Sequence, residues 1–241
     1  MKIQDVKITI PVPVFGIGCG VLGMSLSKVS VNLGKHASKL LKALEYRGYD
    51  STGAVFQDDK QHVSIMKDVG KPSTLVKTLG IEKQAGKIFC GQVRWATFGT
   101  VTKRNSQPHE VKCKRHIYGA HNGNITNTRE LMEFLLSEGH NVVSENDGEM
   151  LVHTGEHYFD IELNKFKAEA QNKTENRKKA MRKAIIKAAK KMVGSYASVI
   201  VDPITEISYT IKGGSSLYFG IGEIDDIEFG LASSDLTAVL K

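Results

Sequence analysis

The arrangement of β segments limits the fold more than any other feature of this chain. Short β-rich stretches at residues 20–26, 52–57, 62–67 and 87–94 fill its first part. A further strand at 115–120 follows, and segments near 196–201, 207–211, 217–221 and 228–232 close the chain. Turn residues such as Asp58-Asp59 and Asp202-Pro203 join neighbouring segments as hairpins do. Helical periodicity appears at 32–46, 72–79 and 127–137, after the polar turn 144–148, and in a long basic stretch. Strands and helices therefore do not alternate one for one. This order predicts an α+β sandwich of antiparallel sheets and argues against a doubly wound parallel sheet. Residues 95–110 are polar, hold Gly99 and Pro108, and read as a long loop of the kind that carries function.

The stretch Gly18-Cys19-Gly20-Val21-Leu22-Gly23 offers two incompatible chemistries. As G-x-G-x-x-G it suggests a dinucleotide-binding turn, with Glu45 at about the distance of a ribose-binding acid. That motif needs its last glycine to open a helix. Gly23 is instead followed by Met24-Ser25-Leu26-Ser27-Lys28-Val29-Ser30-Val31, which alternates and reads as strand or loop. The other reading is a thiol, Cys19, on a backbone with little steric cover.

Composition excludes little. A chain of 241 residues with 41% hydrophobic and 24% charged residues is ordinary for a globular domain. No apolar run approaches the ~20 residues that span a bilayer. Three cysteines, Cys19, Cys90 and Cys113, show no metal-like spacing and are expected to be reduced thiols in a cytoplasm. The net charge of +7 gathers in one stretch, through Lys165, Arg177, Lys178, Lys179, Arg182, Lys183, Lys187 and Lys191. Ala180, Ile185, Ala188 and Met192 form an apolar stripe opposite it, so a solvated helix face is expected rather than a nucleic-acid surface.

Five polar turns change the weight of Cys19. They are Arg47-Gly48-Tyr49-Asp50-Ser51, Arg94-Trp95-Ala96-Thr97, Asn105 to His109, His121-Asn122-Gly123, and Ser144 to Glu149. In order and spacing they resemble the glutaminase domain of class II glutamine amidotransferases. Leu44-Glu45-Tyr46-Arg47-Gly48-Tyr49-Asp50-Ser51 is similar to the glucosamine-6-phosphate synthase branch almost letter for letter. The resemblance implies a four-layer αββα sandwich of two antiparallel sheets, the N-terminal nucleophile hydrolase type, over residues 19–241. It implies glutamine hydrolysis at Cys19, with the free α-amino group of that cysteine as base. Asn122 and the Gly123 N–H are implied as oxyanion donors, and Arg94 and Asp147 as partners of the α-carboxylate and α-ammonium of glutamine. Thr97 adds polar contacts, Trp95 closes over the site, and Arg47 supports the cysteine from behind. No cofactor and no metal are implied. The implied partner is an ammonia-accepting synthase domain or subunit absent from this chain, for aminosugar phosphate synthesis. No nucleic acid or membrane partner is expected, and a homo-oligomer is possible.

Three positions depart from that pattern: Phe98 and Gln107 stand where histidines are usual, and Gly148 replaces a hydroxyl residue. Residues 1–18 are expected to be a leader or propeptide, because they lock the Cys19 amino group in a peptide bond. A rival from another class is His153-Thr154-Gly155-Glu156-His157, an H-x-x-E-H zinc-protease pattern. Gly155 weakens a helix there, so a solvated helix end is the expected alternative. A non-catalytic amidotransferase-like binding domain is the remaining reading.

Overall fold

The computed structural model describes residues 18–97 and 99–240. Residues 1–17, which make up nearly all of the expected leader, and Phe98 lie outside the described residues.

Strand β1 (Gly20–Ser30) sits inside a six-stranded antiparallel sheet. Its neighbours are β4 (Gly86–Arg94) and β10 (Ile227–Ser233). Strands β2 (Ser51–Gln57) and β3 (Val63–Val69) extend the sheet on one side, and β9 (Tyr218–Ile224) ends it on the other. The second sheet is four-stranded, in the order β5 (His109–Val111), β6 (Ile117–Ile125), β7 (Gly194–Asp202), β8 (Ile207–Gly213).

Side-chain parity builds the layers, because successive residues of a strand face opposite sides. Val21, Val55, Ile88 and Cys90 of the first sheet meet Tyr118, Ala120, Val199 and Val201 of the second in a central apolar layer. The alternate residues Leu22, Met24, Ala54, Phe56 and Phe89 pack outward on Leu33, Ala37 and Leu41 of α1 (Leu33–Ala43) and Val76 of α2 (Pro72–Thr78). On the far side, Ile117, Tyr196 and Ile200 pack against α3 (Thr128–Ser137), α4 (Asp147–Leu163) and α5 (Thr174–Lys191). The result is a four-layer αββα sandwich, as the sequence resemblance implies. A short helix, α6 (Leu236–Val239), follows β10.

The G-x-G-x-x-G stretch does not open a helix and, as its strand reading expects, Gly20 and Gly23 lie within β1, while several other expectations need correction. A Cβ at Gly23 would lie 2.7 Å from Val199 Cγ1, so glycine there lets the two sheets close. The Ser/Val alternation after Gly23 continues β1 to Ser30. His121 to Asn124 lie inside β6, not beyond its end, and a short strand, β5, ends the expected loop 95–110 at His109. H-x-x-E-H is not a solvated helix end: His153 and Glu156 are buried in the middle of α4. Arg177 is not on the solvated basic face. It is 1% exposed and makes a bidentate pair with Asp202, Nε–Oδ2 2.8 Å and Nη2–Oδ1 2.8 Å. Removing either partner would strand a buried charge.

Candidate active site

Cys19 directly precedes β1, beside the C-terminal end of β4, and is only partly buried. The Trp95 backbone grips its sulfur from both sides. Trp95 N–H donates to Sγ at 3.3 Å, and the thiol donates to the Trp95 carbonyl at 3.4 Å. Burial pushes the thiol above its ordinary value, and the nearby Asp147 charge adds to that. The Trp95 N–H and the Arg94 charge act in the opposite direction. Arg94 and Asp147, far apart in sequence, thus both act on the same sulfur.

Arg47 lies behind the cysteine. Its Nε donates to the Gly18 and Cys19 carbonyls, each at 3.2 Å, while Nη1 pairs with Asp235 at 3.0 Å. Tyr46 also donates to Asp235. Asp235 was not foreseen, because nothing local in the sequence marks a residue after β10 as a neighbour of Cys19. A Cβ built on Gly18 would lie 3.8 Å from Arg47 Nη2 and 3.9 Å from Asn122 Oδ1, so these two groups flank residue 18.

Arg94, at the end of β4, is buried and donates to the Thr100 carbonyl at 3.1 Å. Thr97 is exposed on the bend beyond it. The loop is also anchored through Asp50, which accepts the Ala96 N–H at 2.7 Å, and through an edge-on contact of Trp95 with Tyr49, centroids 5.1 Å apart.

Asn122 and Gly123 are adjacent in β6, opposite Ala197 and Tyr196 of β7. Gly123 has φ +141°, and a Cβ there would lie 2.1 Å from the Ser195 carbonyl oxygen. Glycine is therefore required at 123 by both conformation and space.

Asp147 is the first residue of α4, where the helix dipole favours an anion. Its Oδ2 accepts His121 Nε2–H at 3.0 Å and Ile125 N–H at 3.0 Å. Burial opposes its charge, but His121 and these hydrogen bonds more than offset that and hold the carboxyl below its usual range. His121 is oriented in turn by Gln107. Gln107 Oε1 accepts the His121 backbone N–H at 2.7 Å, and its Nε2 donates to His121 Nδ1 at 3.0 Å. Two of the departures from the family pattern thereby explain each other. A Cβ at Gly148 would lie 2.4 Å from Gln107 Oε1, so glycine at 148 makes the space that Gln107 uses.

The N-terminus of α4 is fixed by Asn146, whose Oδ1 accepts Gly148 N–H at 2.9 Å and His109 Nε2–H at 3.3 Å. Burial, with help from the Lys67 charge, drives the His109 pKa down to about 3. Between that value and the ~6.5 of an unfolded histidine, only the unfolded chain binds the proton. His109 therefore favours folding fully above that window, and the contribution is lost as pH falls through it. From pH 7 to 5 this one residue should remove about 2 kcal/mol of stability. Urea unfolding at both pH values should show a smaller loss in His109→Gln than in the native chain.

Comparison with known proteins fits this geometry. A sequence profile described as a glutamine amidotransferase domain matches residues 93–238. The glutamine–fructose-6-phosphate aminotransferase (isomerizing) of Methanococcus maripaludis is 37% identical over 225 residues, covering 92% of this chain and 34% of that protein. The chain belongs to the glutamine amidotransferase family. Its Thermotoga maritima relative of the same name is 34% identical over 226 residues, 92% of this chain and 32% of that protein. The amidotransferase chain thus spans about a third of the length of these curated relatives. In fold it is similar to the glutamine phosphoribosylpyrophosphate amidotransferase of B. subtilis, with a TM-score of 0.67 at 22% identity over 91% of this chain and 42% of that one. It is also similar to a glutamine aminotransferase class-II domain protein from Silicibacter pomeroyi, with a TM-score of 0.52 at 11% identity over 89% of this chain and 88% of that one. No helix of the described residues is long and apolar enough to cross a membrane.

Proposed function

We propose that this domain hydrolyses glutamine to glutamate and ammonia through a thioester on Cys19. The observation that carries the reading is the convergence on one sulfur of the Trp95 backbone grip and the charges of Arg94 and Asp147. Glutamine is a zwitterion with a terminal carboxamide. A cation and an anion near the nucleophile suit its α-carboxylate and α-ammonium. Thr97 and Trp95 border the same loop and complete the pocket, and Arg47 holds the Cys19 backbone. In the reaction the Cys19 sulfur attacks the carboxamide carbon, and the C–N bond breaks with a proton delivered to the leaving ammonia. Water then cleaves the thioester to give glutamate and return the thiol. Asn122 and Gly123 N–H hold the oxyanion in each half.

Two relatives named as glutamine–fructose-6-phosphate aminotransferases support a sugar phosphate as the ultimate ammonia acceptor, bound by a domain or subunit outside this chain. A cytoplasmic setting, with three reduced cysteines, goes with that reading.

Replacing Arg94 by Ala tests the substrate. Loss of a charge-assisted contact to the α-carboxylate should raise KM for glutamine by one to two orders of magnitude (roughly 1.5–3 kcal/mol) and change kcat less. The assay is glutamate release across a glutamine series. An unchanged KM would show that Arg94 only braces its loop.

A further inference from the structure

Away from Cys19, three separate segments bring metal-ligating atoms together. Cys113 lies in the turn between β5 and β6, His140 follows α3, and His153 and Glu156 belong to α4. One ligand atom from each lies within 4.8 Å of every other. Glu156 Oε2 is 3.1 Å from His140 Nδ1 and 3.3 Å from His153 Nδ1. The atoms facing away from this point are occupied. Glu156 Oε1 accepts the Lys114 and Arg115 N–H groups at 2.7 and 2.9 Å. His153 Nε2 faces the Glu149 carboxylate at 3.5 Å, and His140 Nε2 faces His157 Nδ1 at 3.2 Å.

We infer that Cys113, His140, His153 and Glu156 form a zinc site that ties the β5–β6 turn and the segment after α3 to helix α4. Zinc bonds of ~2.0–2.3 Å in a tetrahedron place ligand atoms roughly 3.3–3.6 Å apart. The two imidazole–carboxylate separations are already close to that spacing. The adjustment falls on Cys113, exposed on its turn, whose Sγ accepts the Asn141 N–H at 3.2 Å, beside His140. One thiolate, two imidazoles and one carboxylate suit zinc, not the all-oxygen shells of magnesium or calcium. A thiolate and a carboxylate also cancel the charge of the ion, so the filled site buries no net charge. The thiol proton goes to solvent on binding. Carboxylate and imidazole partners behind the ligand histidines orient the rings, as outer-shell groups do in zinc proteins.

This arrangement differs from an H-x-x-E-H hydrolase centre. There His153 and His157 would share the ion with an open position, but His157 turns Nδ1 toward the back of His140. Four protein ligands leave no site for an activated water, so the role is structural. The ion would brace α4, the helix that begins at Asp147.

A hydrogen-bonded His–Glu cluster with no metal is the competing account, and it gives Cys113 no essential part. The full chain, reduced and treated with chelator, is titrated with Co²⁺ and then Zn²⁺. One equivalent of Co²⁺ should give intense tetrahedral d–d bands and a thiolate charge-transfer band, both abolished by one equivalent of Zn²⁺. The charge-transfer band should persist in Cys19→Ala and disappear in Cys113→Ser. Because Cys113 is exposed and a serine hydroxyl can still accept the Asn141 N–H, C113S should keep its metal-free urea midpoint, while its zinc affinity falls by more than the ~10–100-fold typical of losing an outer-shell partner. Glu149→Gln should fall within that smaller range. Absence of the cobalt spectrum in the native chain would overturn the site, as would zinc affinity in C113S equal to the native value.

Discussion

A form of the protein that begins at Cys19 should release glutamate from glutamine, and the chain carrying residues 1–18 should do so at least ~10²-fold more slowly. In the longer form the Cys19 nitrogen is an amide and cannot take the thiol proton. Gly18 is held where it is: its carbonyl accepts from Arg47 Nε at 3.2 Å, and Asn122 lies against it. The Cys19 thiol needs that missing base, since burial and Asp147 raise its pKa and the Trp95 N–H and Arg94 do not cancel the rise. A free α-amine titrates near ~7.7–8.0, the range in which a general base is most useful, and positioned proton transfer contributes ~10²–10⁴ in rate. The sign of the pH dependence follows. Activity of the shortened form should fall as pH drops through the amine pKa, because an ammonium cannot accept the proton. Both forms are made and assayed for glutamate release, with intact mass measured before and after. Equal rates with the leader still attached would eliminate the α-amine mechanism. No activity in either form would favour a binding domain without catalysis.

The layered fold was legible because its causes are local. Alternation in β1, short apolar runs in β2 and β4, and helical periodicity in α1 and α3 can be read from neighbours in sequence. The family resemblance added the αββα order. What stayed hidden depends on contacts between distant segments. Arg177 sits in a run of lysines, and only Asp202, at the end of β7, distinguishes it from them. Helix α4 carries His153, Glu149 and Glu156, so its composition reads as a solvated surface. Partners on the β5–β6 turn and on the segment between α3 and α4 turn those polar groups inward. His121 sits in the turn His121-Asn122-Gly123 with no role that sequence assigns, and its link from Gln107 to Asp147 appears only when the loop folds back. Gln107 and Gly148 read as two separate departures; in space they are one compensated change.

Asn122→Ala should cut kcat about 10²–10³-fold in the form that begins at Cys19, with KM for glutamine within a few-fold of native. Asn122 is 8% exposed, and its side-chain oxygen faces residue 18, with no hydrogen bond to another side chain or to the backbone among the described residues. Neither polar atom of that amide is fully buried, so both stay open to solvent and to a substrate oxygen, and no protein contact requires them for folding. Its neighbour, by contrast, is tightly restricted. Gly123 holds φ +141° and abuts the Ser195 carbonyl oxygen, which fixes the direction of its N–H and leaves no room for a side chain. Two donors adjacent in one strand, beside residue 18, suit an oxygen that becomes negative when the Cys19 sulfur adds to a carboxamide. Such an oxygen gains charge only in the transition state, so the loss belongs in kcat, at about 2.7–4 kcal/mol of barrier. Removing an unpaired amide should leave the thermal midpoint unchanged or slightly higher, which separates catalysis from damage to the fold. Steady-state kinetics and a melting curve on the same preparation decide the matter. A raised KM with native kcat would make Asn122 a substrate-positioning residue, and a lowered melting point would make it a structural one.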